Sequence, residues 1–398
     1  MRLVISRAIR LAAISALACA TYFSLRMALA DHLFRSGTAA GAGRALGLEP
    51  DNAVYALRFG QPERAAALQP RLAEAWIELG LAAERRGQGD QAESFLERAV
   101  TMDATYTPVW TLANFYARRG DGARFLAAAN SALQIGDPAH YDPVPLFRLA
   151  WSIPLYPAAI LQTIPPQERI EALYLNFLLA TNRPGAARPV AQRLLAHPQL
   201  RDWLPMLAYC DRLIADGEAH QAVSLWNTYV GRTALGRPLL EPAAGVSLTN
   251  GKFAWEPLAH GFDWRVLPVE RVFCIRAGRP GGMRFIFDGH QAERCQMLEQ
   301  VVPVVADTRY GLQVRYRTDE IPPGAGPRWR IFDAITRQEI PTDAVPLSNP
   351  LDADATVRFI TPPGTRLARL ALVYERVPGT VRIAGTLHIE RVTLDFDP

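Results

Sequence analysis

The chain has 398 residues, of which 49% are hydrophobic and 21% are charged. This balance predicts two or more packed cores and argues against intrinsic disorder. The net charge is only +4. The arginines of the chain are scattered rather than clustered with aromatic residues, which argues against nucleic acid as a partner. The four cysteines form no C-x-x-C pair and have no histidine at zinc spacing, so no metal and no cofactor are expected.

The first 35 residues are predicted to direct the chain to a membrane. Three arginines, the last of them Arg10, precede an uncharged run from Leu11 to Leu25. A full span needs about 20 residues, and Arg26 would lengthen this run by reaching its charge back to the interface. By the positive-inside rule the arginines stay in the cytoplasm. We therefore predict a single-pass inner-membrane anchor with the bulk of the chain in the periplasm.

Two alternatives for this segment stay open. The sequence from Ala28 to Ala30 fits a signal-peptidase site, and Ala18 with Cys19 loosely fits a lipoprotein box. An uncleaved anchor is favoured because helical character continues to Arg35 without the break that normally precedes cleavage. The sequence does not decide whether the segment is cleaved.

A helical repeat follows the anchor. Trp76, Leu79 and Ala83 lie three or four residues apart and share one helix face. Trp110 lies 34 residues after Trp76, so the unit occurs twice. Small residues on the second helix, such as Ala92, permit close packing. The predicted packing residues are Trp76, Leu79, Gly80, Ala92, Ala99 and Trp110.

This spacing resembles the tetratricopeptide repeat over residues 73–136. The resemblance implies an α-solenoid, which we expect over residues 36–236, with looser repeats after residue 137. The concave surface of such a solenoid usually binds a peptide or a partner helix. Glu78 and Asn114 face outward by helical phase and are the candidate contacts for a protein partner.

The pattern changes to short alternating segments with Gly and Pro near residue 240, which predicts a β domain over residues 242–398. The number and spacing of the segments suit an antiparallel sandwich. The predicted strands are 271–276, 283–287, 297–304, 310–317, 328–332, 356–360, 370–375, 380–384 and 386–396. The fold class is therefore multidomain α plus β: a transmembrane helix, an α-solenoid and a C-terminal sandwich.

The order of features in the β domain is more specific than the strand count. It opens with residues 250–253, continues through 298–302 and closes with 389–394. This order resembles the galactose-binding-like jelly roll of carbohydrate-binding modules, although Glu390 and Arg391 stand where such modules often have paired acidic residues. Anchor, repeats and jelly roll together resemble bacterial envelope proteins associated with exopolysaccharide or O-antigen gene clusters.

The jelly-roll resemblance makes polysaccharide a candidate ligand. Sugars place their C–H faces on aromatic rings and need polar groups nearby for their hydroxyls. The candidate glycan contacts are Trp255, Asp263, Trp264, Arg265 and Trp329. The competing interpretation of Trp264 is that it closes one end of the sandwich core.

No hydrolase, nucleotide-binding or metalloprotease motif occurs, and no catalytic residue is assigned. The sequence predicts a non-enzymatic scaffold of envelope polysaccharide biogenesis, whose repeats dock a protein and whose sandwich contacts glycan. The alternative is a glycan-cleaving or glycan-modifying enzyme, which requires two carboxylates about 5–10 Å apart in one pocket. A disulfide between Cys274 and Cys295 is a further hypothesis, since the periplasm permits it.

Overall fold

The computed structural model describes residues 2–137, 139–233, 237–278 and 281–397, with side chains from Ile9 onward. The chain divides into two compact units, Met1–Tyr174 and Leu175–Pro398. The domain ranges 1–35, 36–236 and 242–398 stay a prediction, and the boundary at residue 236 lies outside the described residues.

The first unit is helical. Its helices, in chain order, are α1 (Arg2–Phe34), α2 (Ala39–Leu48), α3 (Ala53–Arg58), α4 (Pro62–Leu68), α5 (Ala73–Arg85), α6 (Gly89–Met102), α7 (Tyr106–Arg119), α8 (Gly122–Ile135), α9 (Val144–Ala150) and α10 (Pro157–Thr163). Helix α11 (Glu168–Ala180) contains the division between the units.

Helix α1 has two different parts. The stretch Ile9–Phe34 is long and apolar enough to cross a membrane, with a mean hydropathy of 1.4, as a signal sequence would also be. Its last turns pack against α2 and α3, the helix pair that we call the first repeat. Ala30 is fully buried there, and the ring centres of Phe34 and Tyr55 lie 4.8 Å apart. Arg26 forms an ion pair with Glu49 at 3.2 Å. The helix therefore passes without a break from the apolar segment into the array.

Helices α5 to α8 form the two hairpins that the Trp76 spacing predicts. Leu79, Ala92 and Ala99 are buried, and a side chain at Gly80 would collide with Leu96 of the paired helix. Trp76 is half-buried, and its indole nitrogen donates to the carbonyl of Pro70 at 2.8 Å. Trp110 is also half-buried, and stacks on Tyr106 at 6.2 Å. Small residues where helices cross explain why this stretch forms close pairs.

The second unit contains the last helices, α12 (Pro184–Ala196), α13 (Leu204–Ala215) and α14 (Ala219–Thr233), followed by the β domain. Trp226 of α14 is fully buried and meets Phe262 of the β domain edge to face at 6.1 Å. Gly261 lies so close to Trp226 that a side chain there would collide with the indole. The final helical pair and the β domain therefore pack together tightly.

The described residues of the β domain form ten strands: β1 (Arg265–Val266), β2 (Val272–Arg276), β3 (Met283–Asp288), β4 (Arg294–Pro303), β5 (Arg309–Asp319), β6 (Arg328–Asp333), β7 (Glu339–Ile340), β8 (Ala353–Ile360), β9 (Leu367–Glu375) and β10 (Ala384–Phe396). They make two antiparallel sheets of five strands, ordered β1-β4-β9-β6-β7 and β2-β3-β10-β5-β8.

The helical repeats, the apolar first helix and the two-sheet sandwich confirm the predicted fold class. Eight of the nine predicted strand segments coincide with strands, whereas residues 380–383 precede β10 in an irregular segment. The two-residue strands β1 and β7 were missed because they are too short to show alternation. Inward residues of both sheets form one core, which includes Trp264, Trp329 and Tyr374.

A turn at residues 250–253 connects the start of the β domain to its last strand. The Val392 amide donates to the carbonyl of Gly251 at 2.8 Å. A Cβ atom at Gly251 would lie 2.1 Å from the carbonyl oxygen of Val392. Phe253 adopts a φ of 51° and is fully buried in the core, which anchors the turn. The close backbone contact therefore requires glycine at residue 251.

Replacing Gly251 by Ala should destabilise the β domain by about 1–3 kcal/mol, because the backbone of β10 must move to admit the methyl group. Urea unfolding followed by tryptophan fluorescence measures this change. Gly278→Ala is the matched control, since a Cβ atom there meets no atom within 4 Å. Equal unfolding midpoints for both variants would contradict the contact.

Candidate functional site

Two of the three candidate sugar-binding tryptophans lie in the sandwich core. Trp264 is 0% exposed and Trp329 is 1% exposed, and their rings are 6.0 Å apart. Their indoles therefore have no face open to a ligand. This placement corrects the prediction for both residues: they close the core, as the competing interpretation of Trp264 held.

Asp263 is also buried, and its carboxylate is fully engaged. It accepts hydrogen bonds from Arg237 at 2.9 Å, from the amide of Leu258 at 3.0 Å and from the amide of Trp264 at 2.9 Å. Burial raises the pKa of this carboxyl group, and the charge of Arg237 opposes the rise. Asp263 is therefore a structural anion, and its predicted contact with sugar is corrected.

Arg265 joins the β domain to helix α13. Its guanidinium donates to Asp211 at 2.6 Å and to the carbonyl of Gly261 at 3.0 Å. Asp211 also contacts the imidazole Nδ1 of His260 at 2.6 Å and accepts from the amide of Gly261 at 2.7 Å. These contacts belong to a packing interface, and the sugar contact of Arg265 stays a prediction.

Trp255 lines a surface cavity. It is half-buried, and the guanidinium carbon of Arg237 lies 5.6 Å from its ring centre. Its amide donates to the side chain of Asn250 at 3.2 Å, and the Asn250 amide group donates back to its carbonyl at 2.9 Å. These contacts fix the backbone of Trp255 and leave its side chain beside the cavity.

The cavity, which we call the Trp255 pocket, has a volume of about 420 Å³. Its polar lining comes from Lys252 on the opening turn and from Arg391, Thr393 and Asp395 of β10. Volumes of roughly 300–1,000 Å³ are typical of small-ligand sites. The sequence analysis missed the β10 residues, although their period-two spacing places all three on one face of the strand.

The two cysteines predicted to pair are free thiols in different sheets. Cys274 lies opposite Phe285 in β3, whereas Cys295 lies opposite Tyr374 in β9. Burial raises the pKa of the Cys274 thiol to about 12, with help from Glu256, and that of Cys295 to about 11. The disulfide hypothesis is corrected because both thiols are free, and each is a partly buried residue packed against the sandwich core.

A second surface cavity contains two carboxylates. It has a volume of about 770 Å³, and its lining includes Asp343 and Asp397. Arg358 forms ion pairs with both, at 3.3 and 3.6 Å. The guanidinium therefore lies beside both carboxylates of the cavity. Among the residues described by the structure, no cluster of three or more His, Cys, Asp or Glu side chains could hold a metal ion.

No protein-family model matches the sequence. No protein of curated function matches it either. Solved structures similar to parts of the chain include both tetratricopeptide-repeat proteins and carbohydrate-binding modules.

The CBM4 module is 16% identical, with a TM-score of 0.29, and the match covers 38% of this chain and 100% of that module. Pseudomonas aeruginosa pilF is 14% identical, with a TM-score of 0.25, over 53% of this chain and 94% of that chain. TmCBM61, solved in complex with β-1,4-galactotriose, is 15% identical, with a TM-score of 0.24, over 37% of this chain and 92% of that chain.

Alkylation without prior reduction should label all four cysteines once the chain is denatured, because none of them is bridged. In the native protein Cys274 and Cys295 should react slowly at pH 7 and faster as the pH approaches their raised pKa values, since the thiolate is the reactive form. Intact mass spectrometry counts the labels. A denatured, unreduced chain carrying two labels would restore the disulfide.

Proposed function

We propose that this protein is a non-enzymatic, membrane-anchored scaffold of envelope polysaccharide biogenesis. Its helical repeats dock a protein of that machinery, and its β-sandwich contacts the glycan. The observation that carries the glycan assignment is the Trp255 pocket, where an aromatic ring stands beside hydroxyl, cationic and acidic side chains.

The continuity of α1 supports an uncleaved anchor. Cleavage after Ala30 would cut inside a helix at a fully buried residue and would remove the Arg26 partner of Glu49. Because Arg26 pairs with Glu49, it does not lengthen the apolar run as expected from the sequence. Residues 9–25 before it are the part available to the bilayer, at the short end of the length that a span needs. The first repeat then begins where the membrane ends, with the array and the sandwich in the periplasm.

A groove in the first unit supports protein docking. It has a volume of about 580 Å³, and its lining includes Phe34, Leu57, Glu78 and Arg85. Glu78 is exposed and is one of the two predicted contact residues. Asn114, the other, donates its side-chain amide to the carbonyl of Trp110 at 2.8 Å. The groove has apolar side chains together with acidic and basic ones. Such a lining suits a peptide segment, because the apolar and the charged side chains of the peptide can both make contacts there.

The sugar contact is assigned to the indole of Trp255. An aromatic ring offers a flat apolar face for the C–H groups of a sugar ring, and a few placed polar groups orient the ligand. Lys252 and Arg391 donate hydrogen bonds, Asp395 accepts them, and Thr393 does both. Such a lining matches the alternating donors and acceptors of sugar hydroxyls.

A glycan-cleaving enzyme is the second candidate, because the second cavity contains Asp343 and Asp397. Glycosidases need a carboxylic acid and a carboxylate on opposite sides of the scissile bond. Here Arg358 binds both groups, which favours a charge-balanced cluster over an acid and base pair. Release of reducing ends from envelope polysaccharide, abolished by Asp343→Asn, would favour the enzyme.

Trp255→Ala should weaken retention of the full chain in affinity electrophoresis through envelope polysaccharide by about tenfold, because it removes the stacking face and costs a contact of about 1–2 kcal/mol. The melting temperature should change little, since the backbone of Trp255 keeps its bonds to Asn250.

Phe332→Ala is the matched control, because Phe332 is a half-buried aromatic residue of the other sheet with Arg330 and Arg369 over its ring. If Phe332→Ala loses retention while Trp255→Ala is retained normally, the sugar binds the sheet that carries Phe332 and the Trp255 assignment is wrong. Unretarded wild-type protein on every such polymer would leave the sandwich as a protein-docking module.

The topology is tested by fusing a reporter after Pro398. Three arginines before the apolar run should keep the N-terminus in the cytoplasm, so alkaline phosphatase fused there should be active. The mass of the purified chain should include the whole of α1. Fluorescence from a reporter that matures only in the cytoplasm would contradict the orientation, and a mass beginning at Asp31 would contradict the anchor.

A further inference from the structure

Three side chains that carry or can carry positive charge form a row across three neighbouring strands of the β2-β3-β10-β5-β8 sheet. His388 of β10 lies directly opposite Arg284 of β3 on one side and Arg317 of β5 on the other. The residues on either side of His388, Leu387 and Ile389, are fully buried in the core. Since successive side chains of a strand point to opposite faces, the row lies on the outer face of the sheet.

Neither arginine of this row forms an ion pair with any residue that the structure describes. Arg315, the next outward arginine on β5, behaves differently: it pairs with Asp354 at 3.0 Å and with Glu390 at 3.3 Å. Arg284 and Arg317 lie two strands apart, with His388 of β10 between them. No described acidic group forms an ion pair with either of them, so both guanidinium groups are open to a ligand.

The row borders a surface cavity of about 370 Å³, which we call the arginine pocket. Thr386, on the same face of β10 as His388, adds a hydroxyl group to its lining, and Asp319 is its one lining acid among the described residues. The pocket therefore has two unpaired guanidinium groups, a hydroxyl group and an excess of positive charge. Arginine matches carboxylate geometry because its planar fork can donate two parallel hydrogen bonds.

At neutral pH the imidazole of His388 lines the pocket as an uncharged group. Burial lowers the pKa of its imidazole, and Arg317 and Arg284 lower it further, while Glu390 and Asp352 oppose the shift. Its Nε2 atom is buried without a hydrogen-bond partner in the described structure. The two arginines therefore supply the fixed positive charge, and they are the residues to change.

An apolar strip adjoins the pocket on the edge strand β2. Phe273 is 58% exposed and Ile275 is 52% exposed. Ile275 lies opposite Arg284, and Phe273 lies opposite Ile286. An exposed aromatic ring beside unpaired guanidinium groups can hold a ligand that has both apolar C–H faces and negative charge.

We propose that the arginine pocket binds the carboxylate groups of an acidic polysaccharide, with Phe273 supporting a neighbouring sugar ring. This rests on the proposed glycan-binding function and names its substrate class: a polymer containing uronic acid. Anionic lipid headgroups offer negative charge as well, but they do not present repeated rigid rings to an exposed aromatic side chain, so the polysaccharide is favoured.

The test is affinity electrophoresis of the detergent-solubilised full chain through polygalacturonate, and through the same polymer with its carboxyl groups reduced to alcohols. At about 0.1 M salt, where charges beyond about 10 Å are largely screened, the wild-type chain should be retarded by the acidic polymer more strongly than by the reduced one. R284Q/R317Q should weaken binding to the acidic polymer by about tenfold or more, because two charge-assisted contacts are lost.

R337Q/R366Q is the matched control, since it removes the same number of charges from exposed arginines that form no ion pair with described residues. Its retention should equal that of wild type, and both double variants should keep the wild-type melting temperature. Phe273→Ala should weaken retention by the acidic polymer without removing its preference over the reduced one.

Three results would overturn the proposal. If R284Q/R317Q and R337Q/R366Q weaken retention by the acidic polymer equally, the retention depends on the net charge of the chain and not on the arginine pocket. Equal retardation of wild type by the acidic and reduced polymers would leave glycan binding intact and remove the acidic specificity. Binding to vesicles of anionic phospholipid that is lost only in R284Q/R317Q, without retention by the acidic polymer, would assign the pocket to a lipid. If neither the acidic polymer, nor its reduced form, nor any envelope polysaccharide retains the wild-type chain, the proposed glycan-binding function itself is wrong.

Discussion

The buried ion pair between Arg237 and Asp263 fixes the geometry of the candidate glycan site. Both side chains are almost fully removed from solvent, at 2% and 0% exposure, so each charge depends on the other and on further hydrogen bonds. Asp263 holds the amides of Leu258 and Trp264, while Arg237 lies over Trp255. The same pair therefore orders the segment that opens the β domain and positions the one candidate tryptophan beside a cavity.

The outward arginines of the β domain differ in whether they form an ion pair with an acidic side chain. Arg315, Arg330, Arg358 and Arg369 are each matched by at least one carboxylate. Arg284 and Arg317 are not, although they lie beside each other across His388. Arg337 and Arg366 also lack an ion pair, so the row is distinguished by its placement: two unpaired arginines lie on either side of His388 and line one cavity.

The architecture was accessible from sequence because it depends on local periodicity. The Trp76 and Trp110 spacing identified paired helices, and alternation identified most strands. The apolar first helix could also be predicted, since its apolar run is continuous in sequence. The attachment of the last turns of α1 to the first repeat was not, because the contact of Arg26 with Glu49 joins separate elements.

The residues of the candidate site could likewise be predicted only in part, because their placement depends on contacts between separate elements. Residue type selected Trp255, Trp264 and Trp329, with Trp255 slightly favoured for the surface because it follows Lys252 in a polar segment. The structure places Trp255 beside a cavity and the other two in the core, because inward or outward direction depends on the strand or turn that carries each residue. Arg284, Arg317 and His388 are far apart in sequence and have no motif. The sequence by itself determined the repeats, the apolar helix and the sandwich, whose signals are local periodicities. Only the tertiary structure decided which aromatic residues are core and which charges meet, because strand register brings together residues that no local pattern connects.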